Sequence, residues 1–197
     1  MMLPNIRIVK KGLLPMSQEI AEEKIAQCKA DKIPYLNLSG LELESIPESI
    51  KELTWIGSLS LSRNKLTSID TIAPLTNLHK LSFSNNNIES IDVLHQLPKI
   101  RHVFMKHNKI SEITPLQNME RLKKVEANHN LISNLDCLSN MELLVFLDLA
   151  HNKLTDAKSL EKIPSLVWVC MEGNPLDYEQ LIASAKTLAN LKHFTYA

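Results

Sequence analysis

Three histidines stand one residue ahead of an asparagine at equal intervals, His107, His129 and His151. Imidazoles brought together by that spacing could form a pH-sensitive ridge or hold a metal ion. A metal centre would want cysteines or carboxylates at matching ligand spacing, and none recur there. We read the column as a turn residue copied from unit to unit, with no metal and no cofactor. The three cysteines, Cys28, Cys137 and Cys170, are odd in number and contain no Cys-x-x-Cys pair. A reducing, intracellular setting fits that usage best. The sequence has no glycine-rich phosphate loop, no His-Glu-x-x-His and no Gly-x-Ser-x-Gly. Asn37-Leu38-Ser39 is a formal glycosylation sequon, but it falls on an expected strand and carries no weight.

The elements that must position these residues follow from an internal repeat. Asparagines recur every 22 residues, at Asn64, Asn86, Asn108, Asn130, Asn152 and Asn174. Apolar residues sit five and three positions before each and two after it, as in Leu59, Leu61 and Leu66 or Val103, Met105 and Ile110. This alternating half is a short strand with one face buried. The other half of each unit places apolar residues every third position, as in Ile91, Leu94, Leu97 and Ile100, which suits a 3₁₀ or tight helical return. One such unit cannot bury its own apolar face, so neighbours stack around a shared core. Each asparagine falls where the strand turns inward, and its amide can satisfy buried backbone groups there.

This pattern resembles the leucine-rich-repeat family in its 22-residue class, which includes the regulatory subunit of protein phosphatase 1, the internalins and bacterial effector proteins. The resemblance covers roughly residues 33–176 and implies an α/β solenoid, curved, with a parallel sheet on its concave face and 3₁₀ turns on its convex face. A degenerate unit begins at Tyr35, with Leu41 where the asparagine should stand and one extra residue. Helical spacing of Ile20, Ala21, Ile25 and Cys28 gives an N-terminal capping helix within residues 17–32. Asp177 followed by Gln180 resembles a helix start, and residues 177–197 form a C-terminal cap with a truncated last repeat. Residues 1–16 are an arm, extended or disordered.

In this family the polar positions between strand leucines point outward from the sheet. Counted here, the first outward column reads Tyr35, Ser58, Lys80, His102, Lys124, Phe146 and Trp168. The second includes Phe104, Glu126, Asp148 and Cys170, and the third includes Lys106, Asn128 and Glu172. Serines dominate the early repeats, and aromatic and charged residues the later ones. Bulky rings on a polar surface have the character of interface hot spots. The expected partner site is therefore His102, Phe104, Lys106, Lys124, Glu126, Phe146, Asp148, Trp168 and Cys170, with Phe104, Phe146 and Trp168 exposed. Arg101 and Lys123 extend a basic flank. Cys170 is expected as an exposed, inert thiol, since an open sheet offers no catalytic pocket.

Lys plus Arg equals Asp plus Glu, 22 against 22, which gives no general electrostatic support to nucleic-acid or membrane binding. No 18-residue apolar run and no common signal peptide are present. Taken with the resemblance, these features imply a non-catalytic, cytoplasmic, monomeric protein-interaction module. Its concave face would bind another protein, such as an enzyme whose active site it covers. The alternative is the targeting domain of a bacterial effector, injected into a host cell, whose catalytic part lies elsewhere.

Overall fold

In the computed structural model, the described residues are 15–117 and 119–196. Helix α1, Met16–Ala30, opens the fold and buries Ala21, Ile25 and Cys28, spaced four and three apart so that they share one face. Ile20, assigned to that face from the sequence, is instead exposed, because it lies a quarter turn away from the Ala21–Ile25 line. The expected arm falls mostly on residues 1–14, outside the described residues.

Seven short strands follow: β1 Tyr35–Asn37, β2 Ser58–Ser60, β3 Lys80–Ser82, β4 His102–Phe104, β5 Lys124–Glu126, β6 Phe146–Asp148 and β7 Trp168–Cys170. Helix α2, Tyr178–Lys186, and strand β8, His193–Thr195, complete the chain. All eight strands pair in sequence order in one parallel sheet. The register never slips: Leu36, Leu59, Leu81, Val103, Val125, Leu147, Val169 and Phe194 lie side by side. From Leu59 to Val169 these central residues are wholly or almost wholly buried. The sheet side chains on either side of them alternate outward, as strand geometry requires.

Three-residue to five-residue 3₁₀ turns return the chain behind the sheet, for example Asp92–Gln96 and Asp136–Leu138. Their starts are pinned by short polar side chains. Ser68 Oγ accepts from Asp70 N–H at 3.0 Å, Ser90 Oγ from Asp92 N–H at 3.1 Å and Asp156 Oδ1 from Lys158 N–H at 2.7 Å. At the far end Asp177 caps α2, its Oδ1 accepting from Glu179 and Gln180 N–H at 2.9 and 3.2 Å. Among the described residues no helix is long and apolar enough to cross a membrane.

The asparagines stitch successive coils. Asn130 Nδ2 donates to Met105 O in the preceding coil at 3.0 Å and to Ala127 O in its own at 3.1 Å, while Oδ1 accepts from Ile110 N–H at 3.0 Å. Asn86, Asn108, Asn152 and Asn174 repeat the same three contacts. A buried amide therefore replaces the backbone partners lost where each strand bends away.

Candidate partner-binding face

The strict register turns each outward position into a straight column across the strands. In the first column, at the strand starts, His102 lies between Lys80 and Lys124, followed by Phe146 and Trp168. Phe146 and Trp168 stack with ring centres 4.1 Å apart and planes within 1° of parallel. Trp168 in turn stacks on His193, ring centres 5.1 Å apart. Lys124 Nζ covers the other face of the series, 3.7 Å from the Phe146 ring centre. Cation, benzyl, indole and imidazole thus form one continuous pile, because strands about 4.8 Å apart bring equivalent side chains near to stacking distance.

The second column places Phe104 beside Glu126, then Asp148 and Cys170. Phe104 has a lysine ammonium within cation–π reach on each side, Lys80 at 5.3 Å and Lys124 at 5.5 Å. Lys124 also pairs with Glu126 at 2.9 Å. Asn128 in the third column donates to Asp148, and Lys106 is half-buried in the same column. The register therefore brings His102, Phe104, Lys106, Lys124, Glu126, Phe146, Asp148, Trp168 and Cys170 onto one sheet face. Desolvation first, and then the charges of Lys80, Lys124, Lys123 and Arg101, hold the His102 imidazole below its ordinary pKa.

Two exposure expectations change. Phe104, Phe146 and Trp168 are half-buried rather than exposed, since Phe146 and Trp168 cover each other and Lys80 and Lys124 of the first column flank Phe104. Cys170 is buried, at 9% exposure, enclosed between Asp148 of β6 and Thr195 of β8. Burial above all, with the Asp148 and Glu172 charges adding, pushes its thiol pKa up. Cys137, half-buried on an outer turn, is pushed up to about 11, again mainly by burial.

The histidine column occupies the opposite rim, where the strands end. His107, His129 and His151 stack at 4.2 and 4.3 Å between ring centres. All three have φ between +53° and +55°, and Arg63 and Asn85 stand at +58° in the same place. The turn before each asparagine thus demands a left-handed backbone, which histidine and asparagine tolerate better than most residues. In the last unit Gly173 fills this position at φ +67°, and a Cβ there would collide with the His151 ring. Parallel imidazole planes send their lone pairs along parallel lines rather than to a common point, and among the described residues no histidine, cysteine and carboxylate group is gathered to hold a metal.

Sequence reasoning omitted three contributors. His193 extends the first column but sits beyond the last full repeat, where the spacing changes across α2. Leu143 and Val145, 46% and 40% exposed, continue the apolar surface onto the rim ahead of Phe146. Counting one column further upstream, Gly57, His79, Arg101, Lys123, Val145 and Val167, would have found the switch from basic to apolar.

The family model for leucine-rich repeats in two copies matches residues 76–118. Comparison with curated protein sequences gives no significant match. Among solved structures, the chain is similar to an internalin, InlF, from Listeria monocytogenes, with 26% identity and a TM-score of 0.81 over 90% of this chain and 55% of that one. Internalin C2 from the same organism aligns over 93% of both chains, with 20% identity and a TM-score of 0.68. A leucine-rich-repeat protein of Leptospira interrogans aligns over 89% of this chain and 50% of its own, with 20% identity and a TM-score of 0.69. The chain spans about half the length of InlF and of the Leptospira protein.

Proposed function

We propose that this chain, whose fold is a leucine-rich-repeat solenoid, is a non-catalytic module that binds a partner protein across the outward face of β4–β7. The observation that carries this reading is the pile of Lys124, Phe146, Trp168 and His193 beside Phe104 on an otherwise serine-rich and charged sheet. Large side chains already held in place by stacking lose little freedom when a partner arrives, so contact with them is converted efficiently into affinity. An open sheet also lacks the water-excluding enclosure that general acid–base or nucleophilic catalysis uses. Where the partner is an enzyme, a rigid face of this kind regulates it by covering its active site. Three unpaired cysteines support a cytoplasmic setting, or delivery into a host cytoplasm. The similarity to longer bacterial proteins supports the same face serving as the targeting part of a larger effector.

The test is capture of partners on the purified chain, with a Phe104→Ala/Phe146→Ala/Trp168→Ala variant alongside. The expected result is a defined partner that the variant loses while its circular-dichroism spectrum and cooperative melt persist. Stacked pairs contribute about 0.5–1.5 kcal/mol beyond burial, so some loss of melting temperature is expected. Retention of the partner by the folded variant would move the contact surface elsewhere.

A further inference from the structure

The rim where the strands begin changes character halfway along. Over β3–β5 it is cationic: Lys80 and Lys124 flank His102 in register, and Arg101 and Lys123 immediately precede their strands. Of these four cations, only Lys124 has a carboxylate partner among the described residues. Lys80, Arg101 and Lys123 are exposed, so the rim carries charge that no ion pair among the described residues neutralises. Over β6 and β7 the same rim is apolar, with Val145 exposed immediately before Phe146 and Val167 half-buried immediately before Trp168. Stacking occupies the faces of those two rings. Their outward surface is therefore ring edges, the electropositive part of an aromatic ring.

We propose that this rim takes an extended segment of a partner protein, with carboxylates over Arg101, Lys123 and their neighbours and bulky apolar side chains over Val145, Phe146 and Trp168. This rests on the reading of the sheet face as a protein-binding surface and adds the partner's chemistry and its direction. From His102 to Trp168 is three strand spacings, about 14 Å, which an extended peptide covers in about four or five residues at 3.3 Å each. A segment this short can put two acidic residues at one end and two apolar ones at the other. Burial first, and then the charges of Lys80, Lys124, Lys123 and Arg101, depress the pKa of His102, so these cations act on one point of the rim. A nucleic acid is disfavoured, because Glu126 and Asp148 on β5 and β6 and Glu172 just past β7 lie further in and would repel a continuous phosphate chain.

The test follows the His102 Cε1–H and Trp168 Nε1–H signals of the full chain by NMR. Capped peptides of about eight residues, enough to span the rim at 3.3 Å per residue, carry glutamates in one half and leucine and phenylalanine in the other. The controls replace glutamate by glutamine, and further arms use oligo-thymidylate and phosphatidylserine vesicles. The glutamate peptide should move both signals, raise the pKa of His102 and bind about tenfold more tightly than the glutamine peptide, a gap that shrinks as salt screens it. Lys80→Ser and Lys123→Ser should each weaken it about fivefold, as expected for one charge contact in water. If the glutamine peptide binds equally well and moves Trp168, the acidic partner is wrong while the protein-binding face survives. Preference for the oligonucleotide or the vesicles over every peptide, or silence of both signals with all peptides, also overturns the proposal. Partner capture with the triple-alanine variant tests the broader reading separately.

Discussion

His129 is wedged between two other imidazoles, 4.2 Å from His107 and 4.3 Å from His151 between ring centres. Its pKa lies below the ordinary 6.5, mainly through desolvation, then through its two histidine neighbours, with Asp148 opposing. The unfolded chain therefore binds the His129 proton more readily than the folded one. That residue's contribution to stability is intact above the unfolded pKa and declines as pH falls from there towards the folded pKa. His102 acts with the same sign. Replacing His129 by Asn keeps a residue suited to the left-handed backbone, as Asn85 shows at φ +58° in the equivalent place. Urea-unfolding midpoints taken from about pH 7.5 to pH 5 should fall less for His129→Asn than for the wild type. An equal fall in both would mean that the stacked ridge carries no proton linkage.

At the scale of the elements, the asparagine ladder is what allows very short strands to hold a long sheet. Three-residue strands leave backbone groups at each bend without strand partners, and Asn130 serves Ile110 N–H, Met105 O and Ala127 O at once. Asn130→Ala would orphan Ile110 N–H in the interior, where Asn130 is only 5% exposed, and would take one of two amide donors from Met105 O and Ala127 O, which Asn108 and Asn152 still serve. A loss of about 1–3 kcal/mol is expected from one unsatisfied buried donor, read as a lower urea midpoint with an unchanged slope. The ladder was legible in the sequence because asparagine supplies both donor and acceptor and recurs without a slip. The columns were legible for the same reason, since a fixed period and strict alternation place every outward residue. Burial within a column was not legible. Whether Phe146 is exposed depends on which side chain lies one strand over, and Trp168 stacks on it. Cys170 is buried because the chain returns after α2 to lay β8 beside β7, and the 22-residue count stops before that strand.

Across the whole molecule, each coil touches mainly the coils next to it, so the solenoid is nearly one-dimensional in its energetics. The serine-bearing early repeats and the aromatic later ones share a core, and the proposed contact lies on the later ones. One period should then be removable without disturbing the proposed contact. Deleting residues 58–79 joins Gly57 to Lys80, removes β2 and lets β1 pair with an intact β3 in the register now held by β2. Lys80, His102, Lys124, Phe146 and Trp168 keep their places. The shortened chain should unfold cooperatively at a lower urea midpoint and bind the glutamate–leucine–phenylalanine peptide with wild-type affinity. Deleting residues 60–80 instead sets Leu59 directly before Leu81 and reverses the alternation of β3, turning Ser82 inward and Phe83 outward, which should abolish folding. Lost peptide binding in a folded 58–79 deletion would show that the serine repeats form part of the contact, and that binding extends over more of the sheet than the aromatic pile alone.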